Sequence, residues 1–187
     1  MIKRKVIQML FNYKLPAKPI SYMCKAGTQE AVERDYKSIK YIVIHYTGNT
    51  NDTVKNNLDY FHNGNTRSAG AHYFVDQKGK AGKSINLKNI AWHCGGGIQT
   101  NDKGSATYYG KCVNANSVGI ELCDLVGKLP SDKMTKKVKK LVKHIRKYCP
   151  NAKTIIRHWD VNGKNCPASL TGANNYHWKE FKKAIGG

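Results

Sequence analysis

The chain is poor in acids, in long apolar runs and in paired-cysteine spacings, and each shortage excludes a class of protein. Twelve Asp and Glu stand against 32 Lys and Arg in 187 residues, a formal net charge of +20. Such a field implies a polyanionic partner: nucleic acid, anionic lipid, or an anionic polymer such as a teichoic acid. No run of 18 apolar residues occurs, so the sequence contains no candidate membrane-spanning helix. The six cysteines (Cys24, Cys94, Cys112, Cys123, Cys149 and Cys166) include no CxxC and no compact spacing. That excludes a small disulfide scaffold, and synthesis in a reducing compartment fits best. Cys123 and Cys149 fall on apolar faces and read as buried free thiols.

What is present reads as one α/β domain, a central mixed β-sheet flanked by helices. The length suits a single core. Residues 1–39 form a lead-in to the same domain, with Pro16 and Pro19 breaking any early element and a short helix expected near 28–37. Met1–Phe11 begins like a signal peptide, but Gln8 interrupts its short apolar part and no small-residue cleavage site follows. Export by the Sec route is therefore not expected.

Period-two and β-branched runs predict strands over 40–46, 71–76, 82–86, 117–123 and 153–157. Helical spacing predicts helices over 53–63, capped by Asp52, over 132–148, capped by Ser131, and over 174–184. The Gly- and Asn-rich stretch 94–116 reads as a long loop, of a length that is usually functional or mobile. Residues 128–147 hold nine Lys or Arg against Asp132 alone, and for any one of them a solvated helix face is a sufficient explanation.

Three residues suggest metal chemistry. His45 closes the apolar run Tyr41–His45, His158 follows the strand at 153–157, and Cys166 lies eight positions further on, across a turn-forming segment. Two imidazoles and a thiolate suit zinc and leave one coordination position open, the mark of a catalytic site. Each histidine alone is more often a satisfied structural residue; two of them with a cysteine on the following loop shift the reading toward metal. Glu121 is the sole acid between Asp102 and Asp124 and sits inside Val-Gly-Ile-Glu-Leu. Burying a carboxylate there is costly unless it is paired or functional. It reads as a general base with a raised pKa, or else as a solvent-facing residue of an edge strand. Lys164, two residues before Cys166, would reach the edge of such a site and could stabilise an oxyanion.

At this point the chain resembles the zinc-dependent N-acetylmuramoyl-L-alanine amidases found in phage endolysins, bacterial autolysins and peptidoglycan recognition proteins. The pieces that carry the resemblance are Ile42–His45 with Thr47, Ser68–Asp76, Ala91–His93, Asn116–Glu121 and His158–Pro167, in the family's order over about 40–170. The resemblance implies a catalytic domain over 40–187 with no separate wall-binding domain, Zn2+ held by His45, His158 and Cys166, and catalysis by Glu121 and Lys164. Ala71 stands where some members carry a catalytic tyrosine, so the glutamate-bearing members are the better guide. His72, Trp92 and His93 are expected to line the substrate groove, with a core position behind the site as the other reading of His72.

The implied substrate is peptidoglycan, with anionic wall polymers drawn to the basic surface. A monomer is expected, made in a host bacterial cytoplasm without a Sec signal and acting on the wall after release. Two alternatives remain: a relative that only recognises peptidoglycan, and a basic nucleic-acid-binding protein. The retained tripod with Glu121 and Lys164 argues against the first. The lack of any nucleic-acid motif argues against the second.

Overall fold

Strand β3 (Tyr41–Tyr46) is the organising element, because its apolar residues are covered on both sides and both edges are paired. A computed structural model describes residues 20–21, 29–100 and 102–187. The readings on Pro16, Pro19, Cys24 and the signal-like N-terminus lie outside these residues. Parallel neighbours β7 (Ser117–Leu122) and β8 (Thr154–Arg157) flank β3. Beyond β7 come β4 (Tyr73–Val75), parallel to it, then antiparallel β5 (Ala81–Lys83) and the two-residue β1 (Ile20–Ser21). The sheet order is thus β1-β5-β4-β7-β3-β8, a mixed sheet. A second, two-stranded sheet pairs β2 (Gln29–Glu33) with β6 (Asn89–Ala91).

Helix α1 (Val54–Asp59) follows β3 and continues as one π-turn over Tyr60–Gly64. Helix α2 (Asp132–Tyr148) follows β7, the five-residue α3 (His158–Asn162) follows β8, and α4 (Tyr176–Ile185) ends the chain. Met134, Val138, Leu141, Val142 and Ile145 of α2 repeat at helical spacing and are buried against the sheet. Each such side chain contributes roughly 1.5–3 kcal/mol by leaving water. Trp178, Phe181 and Ile185 of α4 join the same core, with Ile42, Ile44, Val118, Ile120, Leu122 and Ile155 from the strands. The alternate strand residues Val43 and Ile156 pack on the opposite face with Val161.

Several local expectations shift. Residues 29–33 form a strand, not part of a helix, and only a 3-10 turn over Tyr36–Ser38 follows, capped by Asp35. The cap of α1 is Thr53, whose Oγ1 accepts from Asn56 N–H, while Asp52 accepts from the Asn57 side chain. Ser131 does cap α2, accepting from Met134 N–H at 3.1 Å and donating to the Gln77 carbonyl at 2.6 Å. Cys123 and Cys149 are buried free thiols, as read from the sequence.

The long loop 94–116 is tied down along its length. Gln99 N–H donates to the Asn162 carbonyl, Ala106 N–H to Trp159 and Tyr108 N–H to Asp160, all on α3. Among the described residues no helix is long and apolar enough to cross a membrane.

Candidate metal centre

The parallel strands β3, β7 and β8 bring their C-terminal ends to one edge, the usual place for a site in an open α/β sheet. His45 stands directly beside Glu121 in the β3–β7 register. His158 begins α3 immediately after β8. The donor atoms of His45, His158 and Cys166 all lie within 4.8 Å of one another, and all three residues are buried. The two imidazole rings meet edge-on with centroids 4.7 Å apart, and His45 Nδ1 lies 3.8 Å from Cys166 Sγ. The spacing that looked suggestive in sequence is a cluster in space.

Local chemistry explains why Cys166 returns to His158. Arg157 grips Asp160 through Nη2–Oδ1 at 2.7 Å and Nε–Oδ2 at 3.0 Å, and donates to the carbonyls of Leu170 and Gly172. This guanidinium also lies over Trp159, 4.4 Å from its ring centre. A buried ion pair with its remaining donors satisfied is costly to break from one side. It locks the start of α3. Gly163 then turns the chain in the left-handed region, where an added Cβ would stand 2.7 Å from the Thr100 carbonyl oxygen. Trp159 N–H donates to the Cys166 carbonyl at 2.9 Å, closing the loop onto the helix start. Lys164 is exposed at the rim, with its backbone N–H on Asn162 Oδ1.

The electrostatics suit a metal more than a set of free side chains. Burial, then His158, His93 and Lys164, holds the His45 imidazole well below its usual range. Burial, Lys164 and His93 pull His158 down to about 3. Both rings are therefore neutral imidazoles around pH 7, the form able to bind a metal. Burial and the neighbouring Glu121 carboxylate push the Cys166 thiol up, against a backbone hydrogen bond from Tyr46 and the Lys164 charge. Burial raises Glu121 to about 7, with Lys164 opposing the rise and Asp52 adding to it.

Glu121 Oε2, His158 Nε2 and Thr47 Oγ1 are buried without hydrogen-bond partners. Orphaned buried polar atoms are rare and need an explanation. A divalent cation of zinc's preference fits, because the donors are two imidazoles and a sulfur that a metal would hold as thiolate.

The expected groove residues fall out differently. His72 is fully buried, with Gly119 N–H donating to its Nδ1, and the Asn89 carbonyl and Arg34 Nη2 lie within 3.2 Å of its Nε2. It cannot line an open groove; it fastens the start of β4 to β7 and to β6. His93 is also buried, its Nδ1 3.0 Å from His45 Nε2, and so packs behind His45 instead of facing an open groove. Trp92 is partly exposed beside them.

Sequence reasoning missed Arg34, Asn114 and Ser117. Arg34 donates to the carbonyls of Leu87, Asn114, Ala115 and Ser117, contacts invisible without the fold. Asn114 Oδ1 accepts from the backbone N–H groups of His93 and Cys94.

Comparison with known proteins agrees with this geometry. The family model described as N-acetylmuramoyl-L-alanine amidase matches residues 35–169. The chain is 33% identical over 156 residues to N-acetylmuramoyl-L-alanine amidase BlyA of Bacillus subtilis (strain 168), covering 80% of this chain and 41% of that protein. It is 29% identical over 136 residues to N-acetylmuramoyl-L-alanine amidase CwlL of Bacillus licheniformis, covering 70% of this chain and 36% of the relative. The chain thus spans well under half the length of these curated relatives. Among solved structures, PlyL superposes with a TM-score of 0.68 at 20% identity, over 91% of this chain and 98% of that one. A mutant endolysin from Bacillus subtilis gives 0.64 at 24% identity, over 91% and 100%. With its fold, its buried donor cluster and most of its length in the matched region, the chain belongs to the N-acetylmuramoyl-L-alanine amidase family.

Proposed function

We propose that this chain hydrolyses the amide bond between N-acetylmuramic acid and L-alanine in peptidoglycan, with Zn2+ held by His45, His158 and Cys166. The observation that carries the reading is the convergence of three buried metal-type donors beside an unpartnered carboxylate at the strand ends. Bound zinc would supply Lewis acidity, polarising the amide carbonyl and making water nucleophilic near neutral pH. Glu121 takes a proton from the attacking water and returns it to the departing amine of L-alanine. Its place opposite His45 in the β3–β7 register, with Oε2 buried and unpartnered, supports that role. Lys164 brings its ammonium group from the rim to the carbonyl oxygen as negative charge develops there. Trp92 offers a partly exposed aromatic wall to the substrate.

The place of action in this reading is the bacterial cell wall. The exposed lysines of α2, Lys133, Lys136, Lys139, Lys140, Lys143 and Lys147, give anionic wall polymers a surface to settle on. No nucleic acid and no second copy are needed for the chemistry. Purified walls treated with zinc-loaded protein should release stem peptides with a free L-alanine amine, identified by mass spectrometry. Glu121→Ala should bind zinc in full stoichiometry yet lose about 10²–10⁴-fold in turnover. Near-normal wall hydrolysis by that variant would remove Glu121 from the reaction.

A further inference from the structure

A line of hydrogen bonds runs from the back of His45 into the fold. His45 Nε2 lies 3.0 Å from His93 Nδ1, His93 Nε2 lies 3.2 Å from Ser117 Oγ, and Ser117 Oγ lies 2.6 Å from the Val113 carbonyl oxygen. His45, His93 and Ser117 are all buried. A carbonyl can only accept, and this one decides the direction of the rest. Ser117 has one hydroxyl proton and gives it to Val113, so toward His93 it can only accept. His93 must then carry its proton on Nε2, which leaves Nδ1 as an acceptor. His45 completes the chain by donating from Nε2, and its Nδ1 lone pair is left pointing toward Cys166 Sγ, 3.8 Å away.

We infer that Val113, Ser117 and His93 form a one-way hydrogen-bond chain that fixes the tautomer of His45 and so presents Nδ1 to the metal. The inference rests on the zinc site proposed above. His93 and Ser117 are positioning residues: they act through His45 and touch neither metal nor substrate.

The surroundings hold this chain in place. Asn114 Oδ1 accepts the backbone N–H groups of His93 and Cys94 at 3.0 and 2.9 Å. Cys94 Sγ lies 3.3 Å from Asn114 Oδ1 and 3.5 Å from Ser117 Oγ, and its S–H donates to the amide oxygen. The His93 ring lies flush on β7 because residue 119 is glycine; a Cβ there would stand 2.8 Å from His93 Cγ. Partners of this kind, behind a ligand imidazole, orient the ring and typically change metal affinity by about 10–100-fold when removed.

Two measurements test it. In the metal-free protein, ring nitrogen–proton NMR correlations should show His45 protonated on Nε2; a proton found on Nδ1 overturns the chain. Ser117→Ala removes a single oxygen, and His93→Leu keeps most of the bulk while ending the relay. Both should weaken zinc binding about 10–100-fold in chelator competition; each also leaves buried polar atoms without partners, so the metal-free melting temperature falls by a few degrees and affinity is compared where both variants are folded. Unchanged zinc affinity in both variants, with a wild type that binds normally, sinks the relay and spares the zinc site. A wild type that binds no zinc at this tripod sinks the site itself, and the relay with it.

Discussion

On the α2 and α4 side of the sheet the buried residues from β3 and β7 are hydrocarbon: Ile42, Ile44, Val118, Ile120 and Leu122. On the other side the same two strands place His45, Ser117, Gly119 and Glu121. The first side is held by area removed from water, which is tolerant of exact geometry. The second combines a small apolar cluster around Val43 and Ile156 with hydrogen bonds between buried polar groups, and it keeps a few polar atoms unpartnered beside the donor cluster. One side stabilises the domain, and the other spends part of that stability on a poised site.

This contrast makes separable predictions. The largest effect belongs to the ligand side: Cys166→Ser should lower zinc affinity by several orders of magnitude, while the metal-free protein melts near the wild-type temperature. Chelator competition and calorimetry measure the two quantities, and full zinc stoichiometry at micromolar metal would take Cys166 out of the cluster. On the hydrocarbon side, Ile145→Ala should cost about 2–5 kcal/mol by denaturant unfolding, and equally with and without zinc. A loss seen only in the zinc-bound form would mean that the two sides are coupled.

A subtler test concerns Glu121. Its folded pKa, about 7, lies above the ordinary 4.5 because burial disfavours the charge. The folded state therefore holds this proton where the unfolded chain has released it, and stability falls as pH rises from about 4.5 through 7. Replacing the carboxylate by a neutral amide removes that loss. Metal-free Glu121→Gln should accordingly be more stable than wild type at pH about 8, by roughly 1–3 kcal/mol, and nearly equal at pH about 4. Identical pH profiles would show that the carboxylate is solvated. The smallest effect is on the outer surface: changing Lys136, Lys139, Lys140 and Lys143 to Gln should leave folding intact but weaken wall binding at low salt. The difference should shrink as added salt screens it.

The two sides were also unequally legible in the sequence. Strand β3, strand β7 and helix α2 could be read because an apolar face repeats with the period of its element. The donor cluster was legible only in part, since His45 is distant in the chain from His158 and Cys166, and the return of Cys166 to His158 depends on the Arg157–Asp160 clasp. Residues 29–33 read as helical because Gln, Glu and Ala favour helix locally, whereas pairing with β6 makes them a strand. Helix α3 could not be read from amphipathicity, because all five of its residues, polar and apolar alike, are buried and none faces solvent. His72 and His93 looked like groove residues from their place in the motif; only the fold reveals that both point inward.

The tethers between the 94–116 loop and α3 have a bearing on how such a domain can be altered. Backbone N–H groups of Gln99, Ala106 and Tyr108 are anchored on α3 carbonyls, and Asn162 Nδ2 reaches back to Gly95. Between the first anchors, Gly95–Gln99 is exposed residue after residue. Length and side chains could be exchanged at that tip while the anchors stay, as a key can be recut without touching its bow. A deletion that took an anchor would instead loosen the helix that opens with His158. The exposed tip and the anchored flanks are thus neighbouring but separable stretches of one loop.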